Sequence, residues 1–446
     1  MERAGLTVLV VAMVGAVAAF GGTEPLAFAV VQLGLLGLAL GVLLARLAGR
    51  AGAGAARLPL LVPLLLVVLV LLQLASLWAS LAGRTLSLAP YQTKSHLLLW
   101  VTYLAAFYLT LEVARRGEGR KRLVWALVFL GAGEAFYGLV QVLTGWQPLQ
   151  GYVREGLTPL GTYVNANHFA GLLEMTLPFA LALAYYEFRR LPSVRGSRAG
   201  RLRALLGEPG LERVLFWAFL GLLMLAAVAL AGSRMGLLAA LGSLWVLAML
   251  VGARGAGPVR VGVVMVAFLA AAALLMVWLG AFEPLVERFQ ALEYEYAQPE
   301  RGRWSIWQDT VRLIEGHPWL GVGLGAFPEA YRGVQTAYPT KTVLQAHNDY
   351  LHLAAEVGLV GALLVFGSFF YLLAAAGRRF LRAESSLDQA VALGCAGSIA
   401  ALLLHSLTDF NLQIPANALV FSVVLGLAYA VRWPGSYAGE ARGGRG

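Results

Sequence analysis

The sequence predicts an all-α polytopic membrane protein of about 12 transmembrane helices, with one long extracytoplasmic loop that contains short helices. Three observations predict it. Hydrophobic residues make up 59% of the 446 and charged residues only 13%, more apolar surface than a soluble chain of this size can hide. Apolar stretches of about 20 residues, the length a spanning helix needs, recur along the whole chain. Lys and Arg are distributed unevenly among the gaps between them.

The expected spans lie near 6–22, 26–45, 58–81, 97–114, 123–144, 166–188, 214–232, 236–252, 260–281, 351–376, 388–408 and 416–431. The first apolar run is read as an uncleaved helix and not a signal peptide, because a second span follows at once. With the N-terminus inside, alternate gaps collect 24 of the 34 Lys and Arg. The positive-inside rule therefore puts both termini in the cytoplasm and the segment 282–350 outside. The expected location is a membrane that the chain crosses many times. Three units are expected: N-terminal helices over 1–164, a core over 165–376, and C-terminal helices with a short cytoplasmic tail over 377–446.

The net charge of +10 follows from that bias. The basic stretch from Arg189 to Arg213 reads as an orientation signal in contact with anionic membrane lipid, so nucleic acid is not an expected partner. Cys395, the one cysteine, lies within an apolar span, which excludes an intrachain disulfide. No metal-ligand spacing is present. His347 and His352 are five apart and do not share a helical face, and His405 with Asp409 reads as a helix-end pair. No cofactor is expected.

Polar residues concentrate in the gaps expected to face outward. The gap at 84–96 holds Tyr91, Lys94 and His96. Within 282–350, residues 303–315 set Trp304, Trp307, Val311 and Ile314 at helical spacing with Asp309, Arg312 and Glu315 largely off that stripe. This predicts an amphipathic helix able to lie in the membrane interface. Pro318 ends it. The following Gly321-Val322-Gly323-Leu324-Gly325 reads as a flexible connector and not a phosphate loop, since no buried strand precedes it.

Four groups carry candidate chemistry. Arg234 sits at a break between two apolar runs. A buried arginine costs about 2.5–3.5 kcal/mol on insertion scales; it reads either as an interfacial anchor or as a functional cation, with Gly232 and Gly236 admitting a bulky headgroup. Arg301 and Arg303 read either as solvated loop residues beside Glu295 and Glu300 or as a phosphate clamp of paired planar donors. His347 precedes a span. Its imidazole, with a reference pKa of about 6.5, can accept a proton near neutrality. Asn348 or Asp349 caps the helix, and Asp349 is also placed to orient the ring. His352 would pack or snorkel. Glu356 lies inside the span, where it needs an arginine or hydroxyl partner.

Taken together, these residues resemble the O-antigen ligase and polymerase superfamily of bacterial membrane glycosyltransferases. The likeness rests on Asn165-Ala166-Asn167-His168-Phe169-Ala170, on Ser233-Arg234, and on Arg301-Gly302-Arg303 with Trp307 leading to His317-Pro318-Trp319-Leu320-Gly321-Val322-Gly323. It is completed by His347-Asn348-Asp349-Tyr350-Leu351 with Glu356 and Gly358. Their order and spacing over about 165–365 make the set specific; the first 160 residues match only in being apolar spans. The resemblance implies a glycan donor linked to undecaprenyl diphosphate, a lipid or protein acceptor, and no metal. Arg234 and Arg301 or Arg303 would hold the diphosphate and His347 would be the base. Asn348, Asp349, Glu356, Asn167 and His168 would support them. A ligase that moves a finished glycan is the leading expectation; a repeat-unit polymerase and a small-anion (inorganic carbon) transporter are the alternatives.

Overall fold

The computed structural model describes residues 2–48, 61–75, 86–146, 158–192, 207–278, 286, 302–338 and 340–431. Helices dominate and no strand occurs among the described residues, as an apolar chain that must satisfy its own backbone in lipid requires. In order they are α1 Glu2–Ala18, α2 Pro25–Leu47, α3 Leu61–Leu74, α4 Pro90–Val113, α5 Gly117–Thr144, α6 Ala166–Phe188, α7 Leu211–Leu230, α8 Arg234–Val251, α9 Pro258–Trp278, α10 Arg303–Gly316, α11 Phe327–Tyr331, α12 Asp349–Arg382, α13 Ser386–His405 and α14 Pro415–Val431. Among the described helices nine are long and apolar enough to cross a membrane; α3 and α14 are apolar but shorter. Each expected span overlaps one of these helices. The gap expected at 84–96 is shorter, because Pro90 opens α4 at its first turn and carries Lys94 and His96 into the helix.

Helix starts follow short-range chemistry. Asn165, Ser233, Asn348 and Ser385 each accept a hydrogen bond from a backbone N–H of the first turn, satisfying donors that the helix cannot.

The bundle is organised around α6 and α13, which are buried almost all round. Their small residues permit this: Gly394 packs on the Phe179 ring, and Gly397 on Pro178, Leu247 and Ser243. In lipid, such close approach drives helix association. By contrast α2 and α9 expose most of their apolar surface, as lipid-facing helices do.

Helix α12 is broken at Gly358 (φ 69°, ψ 176°), a conformation essentially confined to glycine. The loop after α10 fills the break. Leu359 N–H donates to the Pro318 carbonyl, and Val322 and Gly323 N–H donate to the Ala355 and Glu356 carbonyls at 2.9 and 3.0 Å. The Gln73 amide of α3 adds bonds to the Leu320 and Glu356 carbonyls and accepts one from Leu324 N–H. The stretch read as a flexible connector is therefore packed structure.

α10 forms as expected, but its inward face is Ile306, Asp309, Thr310 and Leu313, while Trp304 is 58% exposed. Asp309 can be buried because it accepts bonds from the Tyr331 hydroxyl, the Thr336 N–H and hydroxyl and the Ala337 N–H, and pairs with Arg312. Burial alone would raise its pKa; the Ala337, Thr336 and Tyr331 donors outweigh that and hold it at about 2.

Candidate functional site

One end of the bundle gathers the starts of three helices around the turn that follows α13. Helix α13 stops at His405, and residues 406–412 pass between the starts of α6, α10 and α12. Each neighbour grips this turn. Asn348 donates to the Leu407 carbonyl at 2.8 Å. Asp349 donates its N–H to the Ser406 carbonyl, and its Oδ2 accepts from the Ser406 hydroxyl at 3.0 Å and from Leu412 N–H at 3.2 Å. Arg303, the first residue of α10, donates to the Thr408 carbonyl.

Asp409 is the centre of the arrangement. Its side chain is 1% exposed. It accepts 2.6 Å from the Asn167 amide and 2.9 Å from Phe410 N–H. Arg303 lies at 3.5 Å and His168 Nε2 at 3.8 Å. Burial pushes its pKa up, but His405, Arg303 and His168 together bring it below the ordinary value, so the carboxylate is ionised. Arg303 is 40% exposed, so its guanidinium is anchored on one side and open on the other.

His347 adopts a positive φ of 51°, uncommon for a residue with a side chain. The conformation is held from both sides: its carbonyl accepts from the Trp307 indole at 3.3 Å, and Asn348 caps α12 through Leu351 N–H at 3.0 Å. The His347 ring meets the Phe410 ring edge-on at 4.8 Å, and His168 meets Phe410 at 4.7 Å. One phenyl thus separates two imidazoles. Burial, then the Arg303 charge, lowers the His347 pKa to about 4, with Asp409 pulling the other way. The ring is neutral at pH 7, and its buried Nδ1 has no hydrogen-bond partner among the described residues.

Arg234 begins α8 behind the Ser233 cap. Two residues on, Gly236 abuts Ala170 of α6, only two positions past His168. Arg234 therefore stands at the same end of the bundle. Arg301 lies outside the described residues. Glu356 joins a different cluster: its partner is His352 at 3.2 Å, not an arginine or hydroxyl, and it also accepts from Phe327 N–H. His352 is correspondingly buried and paired and does not snorkel. Asp349 bonds to Ser406 and Leu412 of the turn and not to the His347 ring.

Sequence reasoning missed Thr408 and Phe410, which follow the expected core at 165–376, and read Asp409 only as the helix-end partner of His405. It also missed Glu174 and its pairing with His405 at 2.9 Å, both side chains fully buried. The available signal was a carboxylate inside an apolar span and a polar run, Ser406 to Asn411, between two others.

The end of the bundle thus offers a neutral imidazole packed on Phe410 and a half-open guanidinium anchored by the buried carboxylate of the neighbouring Asp409. Such a set can accept a proton and meet an anion. Comparison with protein families gives a match over residues 219–366 to the family model described as O-antigen ligase. The matched stretch runs from α7 into α12 and includes Arg234, Arg303, His347 and Glu356. It supports membership of the O-antigen ligase superfamily and a role in lipopolysaccharide or polysaccharide biosynthesis. No curated protein matches the chain.

Proposed function

We propose that this protein is an O-antigen ligase-like glycosyltransferase. It moves a glycan from undecaprenyl diphosphate to a hydroxyl of a lipid or protein acceptor at the outer face of the inner membrane, with both termini cytoplasmic. The observation that carries this reading is the pairing of His347 and Arg303 around Asp409 within one site.

In the proposed step the neutral His347 imidazole takes the acceptor hydroxyl proton as the oxygen attacks the anomeric carbon. The bond to the diphosphate oxygen breaks, and the leaving lipid diphosphate carries away the electron pair. Arg303 and Arg234, with Arg301 as a further candidate, meet the charge as it develops. Fixed guanidinium groups suit phosphate oxygens better than lysines would, and with cations in place the step needs no metal. A single displacement inverts the anomeric centre. A positioned base is worth typically 10²–10⁴-fold, with binding of both substrates in one orientation supplying more. Asn348 and Asp349 fix the start of α12, and Asn167 and His168 fix Asp409. The domain reading follows: residues 165–376 supply the reacting groups, and the turn at 406–412 completes them.

A second reading, small-anion transport, draws on the break in α12, since discontinuous helices mark many transporters. Its freed carbonyls at Ala355 and Glu356 are already taken by Val322 and Gly323, which argues against an ion site there. Purified protein given a lipid-diphosphate glycan and candidate acceptors tests the first reading by gel shift of the product. Labelled bicarbonate uptake into proteoliposomes, abolished by Arg234→Ala, would favour the second.

A further inference from the structure

A groove of about 410 Å³ lies between α2 and α4. On α2 it runs from Leu36 to Arg46, and on α4 from Val101 to Glu112. Over that stretch α4 rises about 16 Å, close to the hydrocarbon depth of one bilayer leaflet, about 15 Å. Leu36, Leu40, Leu43, Val101, Leu104 and Leu109 are among its lining residues. Leu40 is 55% exposed and Leu43 53%, so the groove opens toward lipid.

One end of the groove is cationic. Arg46 and Glu112 close it, and Glu112 pairs with both Arg46 and Arg115, the latter at 3.1 Å. Two guanidinium groups thus share one carboxylate. Arginine keeps its charge, so this end stays positive whether or not Glu112 is ionised. The nearby Arg116 and Arg120 turn instead to Glu2 and Asp388. The chain just before α4 is held to the 322–325 loop, Leu88 N–H donating to the Val322 carbonyl at 2.9 Å. Glu112 therefore stands at the end of the bundle away from His347, which the positive-inside expectation puts at the cytoplasmic leaflet.

Length and charge together select the occupant. An apolar channel one leaflet deep that ends at two guanidinium groups matches an acyl chain joined to a phosphate, whose oxygens suit guanidinium donors. A choline head would bring a cation of its own against Arg46 and Arg115; a phosphoglycerol head would not. We propose that this groove binds an anionic phospholipid, one acyl chain between α2 and α4 and the phosphate on Arg46 and Arg115. The lipid would then fasten α2, whose apolar surface is mostly exposed, to the rest of the bundle.

The test is photo-crosslinking of the full chain in phosphatidylcholine nanodiscs, with peptides read by mass spectrometry. A trace of phosphatidylglycerol with a diazirine in its acyl chain is compared with a trace of phosphatidylcholine bearing the same chain. The phosphatidylglycerol probe should label 36–46 and 101–112 about fivefold more, the factor that about 1 kcal/mol gives for one uncompensated basic residue. Helix α9 is the internal control. It faces lipid and carries the exposed Arg260 at its start, so general attraction of anionic lipid would raise its ratio equally. Arg46→Gln should bring the groove ratio close to one. Leu40→Trp, which fills the groove and leaves the charges in place, should do the same. A ratio near one in the unaltered protein, an equal ratio on α9, or a ratio that survives either variant overturns the proposal. No turnover is involved, so the result stands or falls apart from the proposed glycan transfer.

Discussion

The side-chain amide of Asn167 donates a 2.6 Å hydrogen bond to Asp409, 242 residues further along the chain. That bond ties the start of α6 to the turn after α13, and Arg303 reaches the same carboxylate from the long polar segment. Asp409 therefore fixes Arg303, a group proposed to meet the substrate, against the start of α6.

Asp409→Asn keeps the side-chain volume and removes the charge that anchors Arg303. A hydrogen bond to a charged group is worth about 1.5–3 kcal/mol, so transfer should fall roughly 10- to 100-fold. The loss should appear mainly in KM for the lipid-diphosphate donor. Steady-state kinetics, with a melting curve to verify folding, measures it.

The pH dependence follows from His347. Its folded pKa of about 4 lies below the reference of about 6.5, so the unfolded chain binds the proton more readily. Stability contributed by this residue is complete above about pH 6.5 and is lost as pH falls toward 4. Activity needs the neutral ring, so the acid limb of kcat/KM should lie near pH 4. Arg303→Gln removes a charge that lowers the pKa, and the limb should move upward. A bound diphosphate should act likewise, setting the limb of kcat above that of kcat/KM. Rate profiles from pH 3.5 to about 8 give all three midpoints.

Much of this was legible in the sequence. Apolar runs of spanning length marked the helices, and Asn165, Ser233 and Asn348 marked their starts, because capping is local chemistry. His347, Asn167 and His168 were recognisable as polar groups at span ends, and Arg303 as one of two arginines before the interfacial helix. What was not legible was the long-range pairing. Asp409 stands between two apolar spans, and nothing near it in the chain indicates that α6 and α10 both reach it. The Asp309 side chain read only as lying off the apolar stripe, because its four donors come from residues 331–337. The glycines at 321–325 read as slack, whereas their partner is the break at Gly358.

The buried Glu174–His405 pair should carry stability. Glu174→Gln leaves an imidazole without its counter-ion and should cost about 3–5 kcal/mol. The double change Glu174→Leu/His405→Leu should cost less than the sum of the single changes. Denaturant unfolding of the four proteins in micelles gives the coupling.

Gly358→Ala should disrupt the break in α12. A side chain there would collide with the Trp319 carbonyl, and the backbone conformation alone costs about 1–3 kcal/mol for a residue other than glycine. A lower Tm, with loss of activity as the 318–323 loop detaches, is the expected outcome.

The central claim is that His347 and Arg303 act together on one lipid-linked substrate. It is tested most directly by product formation in proteoliposomes holding purified protein, an undecaprenyl-diphosphate glycan and an acceptor. The account predicts transfer by the unaltered protein, near-complete loss in His347→Ala with donor binding retained, and weakened donor binding in Arg303→Gln. Turnover by His347→Ala at the unaltered rate would contradict it.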